Sequence, residues 1–315
     1  MSKQAQDPGL GEKYFRHTKR IINKDGSFNI KRTGGGIESI NAYHYLINIS
    51  WTKFLLIVFA GFVTVNLLFA ILYQIAGTEN LSNAAANDGL QSFLNIFFFS
   101  VQTFATVGYG GIHPIGIFSN IISAIESMTG ILSFALATGL LYGRFSKPSA
   151  KILFSDKAII APFKNGKALM FRVANSRDNI LMEMEVNAIM TFLDKGDNRY
   201  TRKYYPLKFE IKFIYFFPLP WTIVHPIDED SPLYGKTADD LEGLEAELLI
   251  MVKGFDDSFS QHVISRSSYK YDEIEWDVKF ISAHNTDETG ETIVDLEKVS
   301  LTENVNWGQA PVKTV

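Results

Sequence analysis

The chain has 315 residues, 46% hydrophobic and 20% charged, with a mean hydropathy of +0.04, too apolar for a disordered chain and more apolar than an ordinary soluble enzyme. It has no cysteine, which excludes disulfide frameworks, thiolate metal sites, Fe–S clusters and cysteine nucleophiles. A net charge of −4 and an isoelectric point near 5.9 argue against a nucleic-acid binder.

The charge is unevenly spread. Lys and Arg number 8 against 4 Asp and Glu over 1–50, 3 against 3 over 51–150, and 19 against 27 over 151–315. Residues 1–36 are polar, basic and glycine-punctuated, and read as a flexible N-terminus. Over 37–50, Ile40, Tyr43 and Ile47, continued by Trp51, fall at helical spacing. This predicts an amphipathic helix, lying in a membrane interface or packed on a soluble domain. His44 reads as a hydrogen-bonded interfacial residue in preference to a pH sensor.

From Phe54 to Ala76 no charge interrupts the apolar run, and about 20 such residues cross a hydrocarbon core. Residues 117–143 form a second span, broken only by Glu126, whose charge would cost on the order of 3 kcal/mol at the helix centre. Glu126 is therefore expected to face protein, near Gln102 or Thr103, more than to line a pore. Basic residues flank the spans (Lys19, Arg20, Lys24, Lys31, Arg32, Lys53; Arg144, Lys147, Lys151), while 77–116 holds none. The positive-inside rule then places both termini in the cytoplasm and the connector outside. A third apolar run, Phe93–Ala105, is too short to span and predicts a re-entrant helix. Thr106-Val107-Gly108-Tyr109-Gly110 follows it.

Span, short helix, TVGYG and span together resemble a two-span potassium channel with its selectivity filter. In that reading the carbonyls of Thr106, Val107, Gly108 and Tyr109, with the Thr106 hydroxyl, replace the hydration shell of K⁺. Gly108 and Gly110 permit dihedrals closed to a β-carbon, and Tyr109 packs behind the filter. One chain supplies a quarter of the ring, so the resemblance implies a homotetramer. The alternative is a glycine turn between two hairpin helices.

Beyond Pro148 the pattern changes to period two: Met182, Met184, Val186, Ala188, Met190 and Phe192 oppose Glu183, Glu185 and Asn187. Phe209, Ile211 and Phe213 alternate likewise, as do Ile274, Trp276, Val278 and Phe280. An antiparallel sandwich is expected, with one helix from Thr237, its N-cap, to Leu244.

The segments AKILFSDKAIIAPFKNGKALMFRVANSR (150–177), WTIVHPIDEDSPLYGK (221–236) and SRSSYKYDEIEW (265–276) resemble the cytoplasmic domain of inward-rectifier potassium channels, especially the prokaryotic, KirBac-type members. The resemblance covers about 37 to 300 and implies a membrane α-helical two-span pore domain with a re-entrant pore helix, plus an all-β immunoglobulin-like cytoplasmic sandwich. It divides the chain into 1–36, a slide helix at 37–50, the pore domain at 51–146 and the sandwich at 147–315. It puts the hinge at Gly130 and the bundle-crossing gate at Tyr142. Phe134 stands where strong rectifiers keep an acid, and Gln102 and Ile112 replace a Glu–Arg pair that braces the animal filters. Filter support would then fall to Tyr109 packing and the Gln102 amide, beside Thr103 and Glu126.

Trp51, Lys53, Arg144, Lys147 and Lys151 are candidates for a phosphoinositide or other anionic-lipid site, or for topology anchors alone. The loop 256–265 aligns with the constriction of the cytoplasmic pore, where Asp256, Asp257, Gln261 and His262 either meet cations or sit in a solvated turn. No enzymatic motif appears. No cofactor is expected beyond K⁺ in the filter, and no metal site beyond its carbonyls. The expected function is a homotetrameric K⁺-selective channel of the cell membrane, gated at the inner helices and sandwich. A two-span K⁺ channel gated by a cytosolic ligand in a concave pocket, or a non-conducting membrane-anchored sensor, remain as alternatives.

Overall fold

The computed structural model describes residues 7–14, 20–31, 33–34, 42–147, 151–195 and 200–305. Its elements begin with β1 (Lys13–Tyr14), α1 (Ala42–Asn48), α2 (Trp51–Ala76), β2 (Leu81–Ser82), α3 (Gly89–Phe104), β3 (His113–Pro114) and α4 (Ile117–Phe145). There follow β4 (Ile152–Phe154), β5 (Ala158–Phe163), β6 (Gly166–Asn175), β7 (Leu181–Lys195), β8 (Tyr200–Pro206), β9 (Phe213–Phe216), β10 (Trp221–Ile227) and α5 (Ala238–Gly243). The chain closes with β11 (Glu247–Asp256), β12 (Gln261–Lys270), β13 (Ile274–Trp276), β14 (Val278–Phe280), β15 (His284–Thr286), β16 (Thr292–Val294) and β17 (Thr302–Asn304). Two compact units result: the described residues from 33 to 147, and those up to 31 together with those from 151 onward.

In the helical unit, α2 and α4 are the two helices among the described residues long and apolar enough to cross a membrane. The short helix α3 starts four residues before the apolar run. Its polar first turn escapes a hydropathy reading, but Asp88 caps it by accepting from the Leu90 N–H at 3.2 Å. Ala70, Tyr73, Ile96, Phe99 and Ile122 from the three helices share one apolar cluster. The strands β2 and β3 pair, and the Ile115 N–H donates to the Asn80 carbonyl at 2.8 Å. The segment between α3 and α4 is thereby pinned at the end next to α4.

The other unit is a sandwich. One sheet runs β1-β8-β7-β11-β12 with β9 on β7, and the other β10-β6-β5-β13 with β4 on β6. All these pairs are antiparallel except β5–β13, which is parallel. Phe171, Met184, Val186, Met190, Leu248 and Ile250 lie in its core, each worth roughly 1.5–3 kcal/mol of apolar burial. In α5, Thr237 and Asp240 form a reciprocal capping box.

Alternation in β7 holds from Met184 to Met190 but slips before it: Leu181 is buried and Met182 only half-buried. Glu183 has φ 53°, and the β11 register shifts between Lys253 and Phe255, a β-bulge that reverses the faces of the strand. The second alternating run is corrected too. Ile211 precedes β9 and is exposed, as is Phe213, so that run builds no buried face. The third run breaks at Asp277, φ 60°, into β13 on β5 and β14 on β17.

The flexible N-terminus is also corrected for part of its length. Ile21 and Ile22 are buried with Leu249, and the Ile21 N–H donates to Glu247 at 3.0 Å. Arg20 makes a two-pronged contact with Glu273, 3.1 and 2.7 Å, and donates to the Ser268 carbonyl at 2.6 Å. Residues 20–31 are a strap on the β11–β12 face. Lys19, Arg32, Ile40 and Pro148 lie outside the described residues.

Candidate functional site

The segment after α3 is built from backbone. Thr106, Gly108 and Gly110 have positive φ (56°, 58° and 81°), whereas Val107 and Tyr109 do not. Behind it, the Gln102 carbonyl accepts from the Val107 and Gly108 N–H groups at 2.9 and 3.4 Å, and the Thr103 carbonyl from the Thr106 N–H at 3.0 Å. In a trans peptide the carbonyl opposes the N–H. Three successive N–H groups turned toward the end of α3 therefore turn the Ala105, Thr106 and Val107 carbonyls away from it, onto one side. Such a row of oxygens suits a bare cation. The brace is the Gln102 main-chain carbonyl where the sequence suggested its side-chain amide. Tyr109, expected to pack behind the filter, is 80% exposed in the single chain.

Glu126 does face protein, but its partners differ from those expected. It accepts from the Tyr73 hydroxyl at 2.7 Å and pairs with Ser100. Ser100 in turn reaches the Asn66 carbonyl and Oδ1 at 3.1 and 3.2 Å. Gln102 and Thr103 are not among these contacts. The available signal was Asn66, an amide near the middle of a charge-free span.

On α4, Gly130 is buried where the helix meets the end of α3, and a Cβ there would stand 2.0 Å from the Phe104 carbonyl oxygen. Close packing thus accounts for this glycine without a hinge. Phe134 and Tyr142 are exposed on the same helix.

At the end of α4, Arg144 is committed to backbone. Its guanidinium donates to the carbonyls of Leu46, Ile47 (3.1 Å) and Ile49 (2.8 Å), the last turn of α1 and the corner beyond, where the helix dipole favours a cation. It also lies 4.6 Å from the ring centres of both Trp51 and Phe54. Lys147 bonds Asn48, and Tyr43 and Ile47 sit against Gly143. Arg144 thus latches α1 to α4, with Trp51 of α2 against its face. Lys53 and Lys151 are exposed, Lys151 belonging to the other unit.

In the sandwich, the loop readings divide. Asp256 is fully buried, accepting from Asn179 at 2.8 Å and the Ser258 N–H at 3.0 Å, so it anchors the turn from within. Asp257, Gln261 and His262 are exposed. A concavity of about 540 Å³ opens between Leu207–Glu210 and the stretch from His225 to Pro232. Its groups pair among themselves: His225 bonds the Lys208 carbonyl at 2.6 Å and Ser231 at 2.8 Å, and Lys208 meets Asp230 at 3.3 Å. Burial holds the His225 imidazole below the usual histidine range.

Residues 152–315 match the family model of the inward rectifier potassium channel C-terminal domain, and 54–147 match an ion channel model. The inward rectifier potassium channel Kirbac3.1 of Paramagnetospirillum magnetotacticum is 36% identical over 284 residues, 89% of this chain and 94% of that protein. The ATP-sensitive inward rectifier potassium channel 12 of Gallus gallus is 26% identical over 83% of this chain and 66% of its own length. The Bos taurus protein of that name is 27% identical over 84% and 67%. The chain spans about two thirds of these vertebrate relatives.

Proposed function

Because the chain belongs to the inward rectifier potassium channel family, we propose that four copies surround a common axis and conduct K⁺ passively through the segment Thr106–Gly110. The observation that carries this reading is the alternating sign of φ along 106–110, with the N–H groups of 106–108 drawn back to α3. In a fourfold assembly each copy offers its carbonyls to the axis, and Tyr109 packs against a neighbouring copy. Both termini and the sandwich are cytosolic, since the connector 77–116 has no basic residue. The gate lies at Phe134 and Tyr142 on α4, with Gly130 above them. Asp257, Gln261 and His262 line the cytosolic mouth.

Anionic lipid, a phosphoinositide among the candidates, modulates the channel through Lys53, Lys147 and Lys151. Arg144 contributes by holding the slide helix α1 to α4, and Trp51 by packing on Arg144. The test is uptake of ⁸⁶Rb⁺ by liposomes loaded with K⁺ and carrying the purified protein, across a series of lipid compositions. Uptake above that of empty liposomes, with K⁺ over Na⁺ discrimination lowered in Gly108→Ala, is expected. Uptake equal to empty liposomes in every composition would favour a membrane-anchored sensor.

A further inference from the structure

Four polar side chains meet where α2, α3 and α4 pack: Asn66 and Tyr73, Ser100, and Glu126, all fully buried. Polar groups persist in such surroundings only when hydrogen-bonded, and an ionised carboxylate is the costliest of them. The partners of Glu126 are two hydroxyls, Tyr73 on Oε2 and Ser100 on Oε1. No basic side chain is among them.

The hydrogen count decides between two arrangements. Asn66 spends its amide nitrogen on the Phe62 carbonyl at 2.8 Å, so it turns only acceptors, its carbonyl oxygen and Oδ1, toward Ser100. A serine hydroxyl has one hydrogen to give. With Glu126 ionised, that hydrogen serves either Glu126 or Asn66, and the other pair of oxygens faces itself with no proton between. With a proton on Oε1 the chain closes: Glu126 donates to Ser100, Ser100 donates to Asn66, and Tyr73 donates to Oε2.

We propose that Glu126 is a neutral carboxylic acid whose proton completes the chain Glu126–Ser100–Asn66 and so acts as a positioning residue, tying α3 to both spans. Ser100 lies two residues before Gln102, whose carbonyl holds the Val107 and Gly108 N–H groups. The proton thereby fixes the depth at which α3 presents that carbonyl. This last step rests on the filter reading above, whereas the protonation state does not.

Two measurements on the full chain in liposomes separate them. Infrared difference spectra of wild type against Glu126→Gln should contain a carboxylic-acid C=O band that shifts in D₂O. In Tyr73→Phe the band should move to higher frequency as Oε2 loses its donor. A carboxylate signal in its place overturns the proposal, whether or not the protein conducts. In flux, Glu126→Gln reproduces a neutral donor and acceptor, so K⁺ over Na⁺ discrimination should stay within about twofold of wild type. Glu126→Leu takes the acceptor from Tyr73 and cuts the tie between Ser100 and α4, and should lower it by roughly tenfold. Loss of discrimination in Glu126→Gln equal to that in Glu126→Leu, with assembly intact, also overturns the proposal.

Discussion

Two glycines of the pore are constrained for opposite reasons. At Gly130 there is no room: a Cβ would stand 2.0 Å from the Phe104 carbonyl oxygen, and overpacking of this kind costs about 1–3 kcal/mol. At Gly108 there is room, with nothing within 4 Å, but φ is 58°, where an L side chain is disfavoured by roughly 1–2 kcal/mol. Both Gly130→Ala and Gly108→Ala should therefore lower K⁺ over Na⁺ discrimination in the ⁸⁶Rb⁺ assay, by roughly tenfold on these energies. Gly139→Ala, also surrounded by open space but without positive φ, should leave it unchanged. A Gly130→Ala channel with full discrimination and altered open time alone would mean that the glycine serves as a hinge and not as a contact.

At the scale of elements, the strap 20–31 shows how a short segment is ordered by charge. Burial opposes ionisation of Glu273, but Arg20, the Lys270 N–H and Lys24 outweigh it and hold the carboxyl below its usual 4.5. A carboxyl depressed on folding stabilises above its unfolded value, and that stabilisation fades as pH falls through the folded one. The pair is partly solvated, which limits it to ~1 kcal/mol. Arg20→Ala should thus speed hydrogen exchange at the Ile21 and Ile22 amides about fivefold at neutral pH, with the difference from wild type vanishing as pH drops below the usual carboxyl range. Equal exchange rates at neutral pH would show that Ile21 and Ile22 hold the strap by burial alone.

The same strap marks what a sequence reading could reach. Lipid imposes continuous apolar runs, so α2 and α4 were legible to within a few residues, and a core face imposes period two, so β7 was legible from Met184 onward. The strap depends on Glu247, Ser268 and Glu273, more than 220 residues away, and no local pattern reports such a partner. The bulge at Glu183 needs positive φ in a residue that does not advertise it. Ser100, Tyr73 and Asp256 look in one dimension like any surface hydroxyl or turn acid. Their roles come from which helices and strands bring them together.

For the whole molecule, large aromatic side chains stand exposed on the single chain. Tyr109, Phe134 and Tyr142 are 80%, 77% and 74% exposed, on the segment proposed as the filter and on the helix proposed to carry the gate. The chain passes from one unit to the other before α1 and after α4, which Arg144 locks together. In the fourfold assembly proposed above, four such corners of α1 and α4 surround one axis. The absence of cysteine makes this testable, because a single introduced thiol reports without background. If α4 lines the axis, Tyr142→Cys from adjacent copies should come within the roughly 4–7 Å Cα separation that a disulfide needs. Mild oxidation should then yield covalent dimers that retain fourfold assembly. Leu68→Cys, exposed on α2 and facing lipid in this arrangement, should stay monomeric on the same gel. Cross-linking at Leu68 but not at Tyr142 would exchange the roles of the two spans and remove α4 from the ion path.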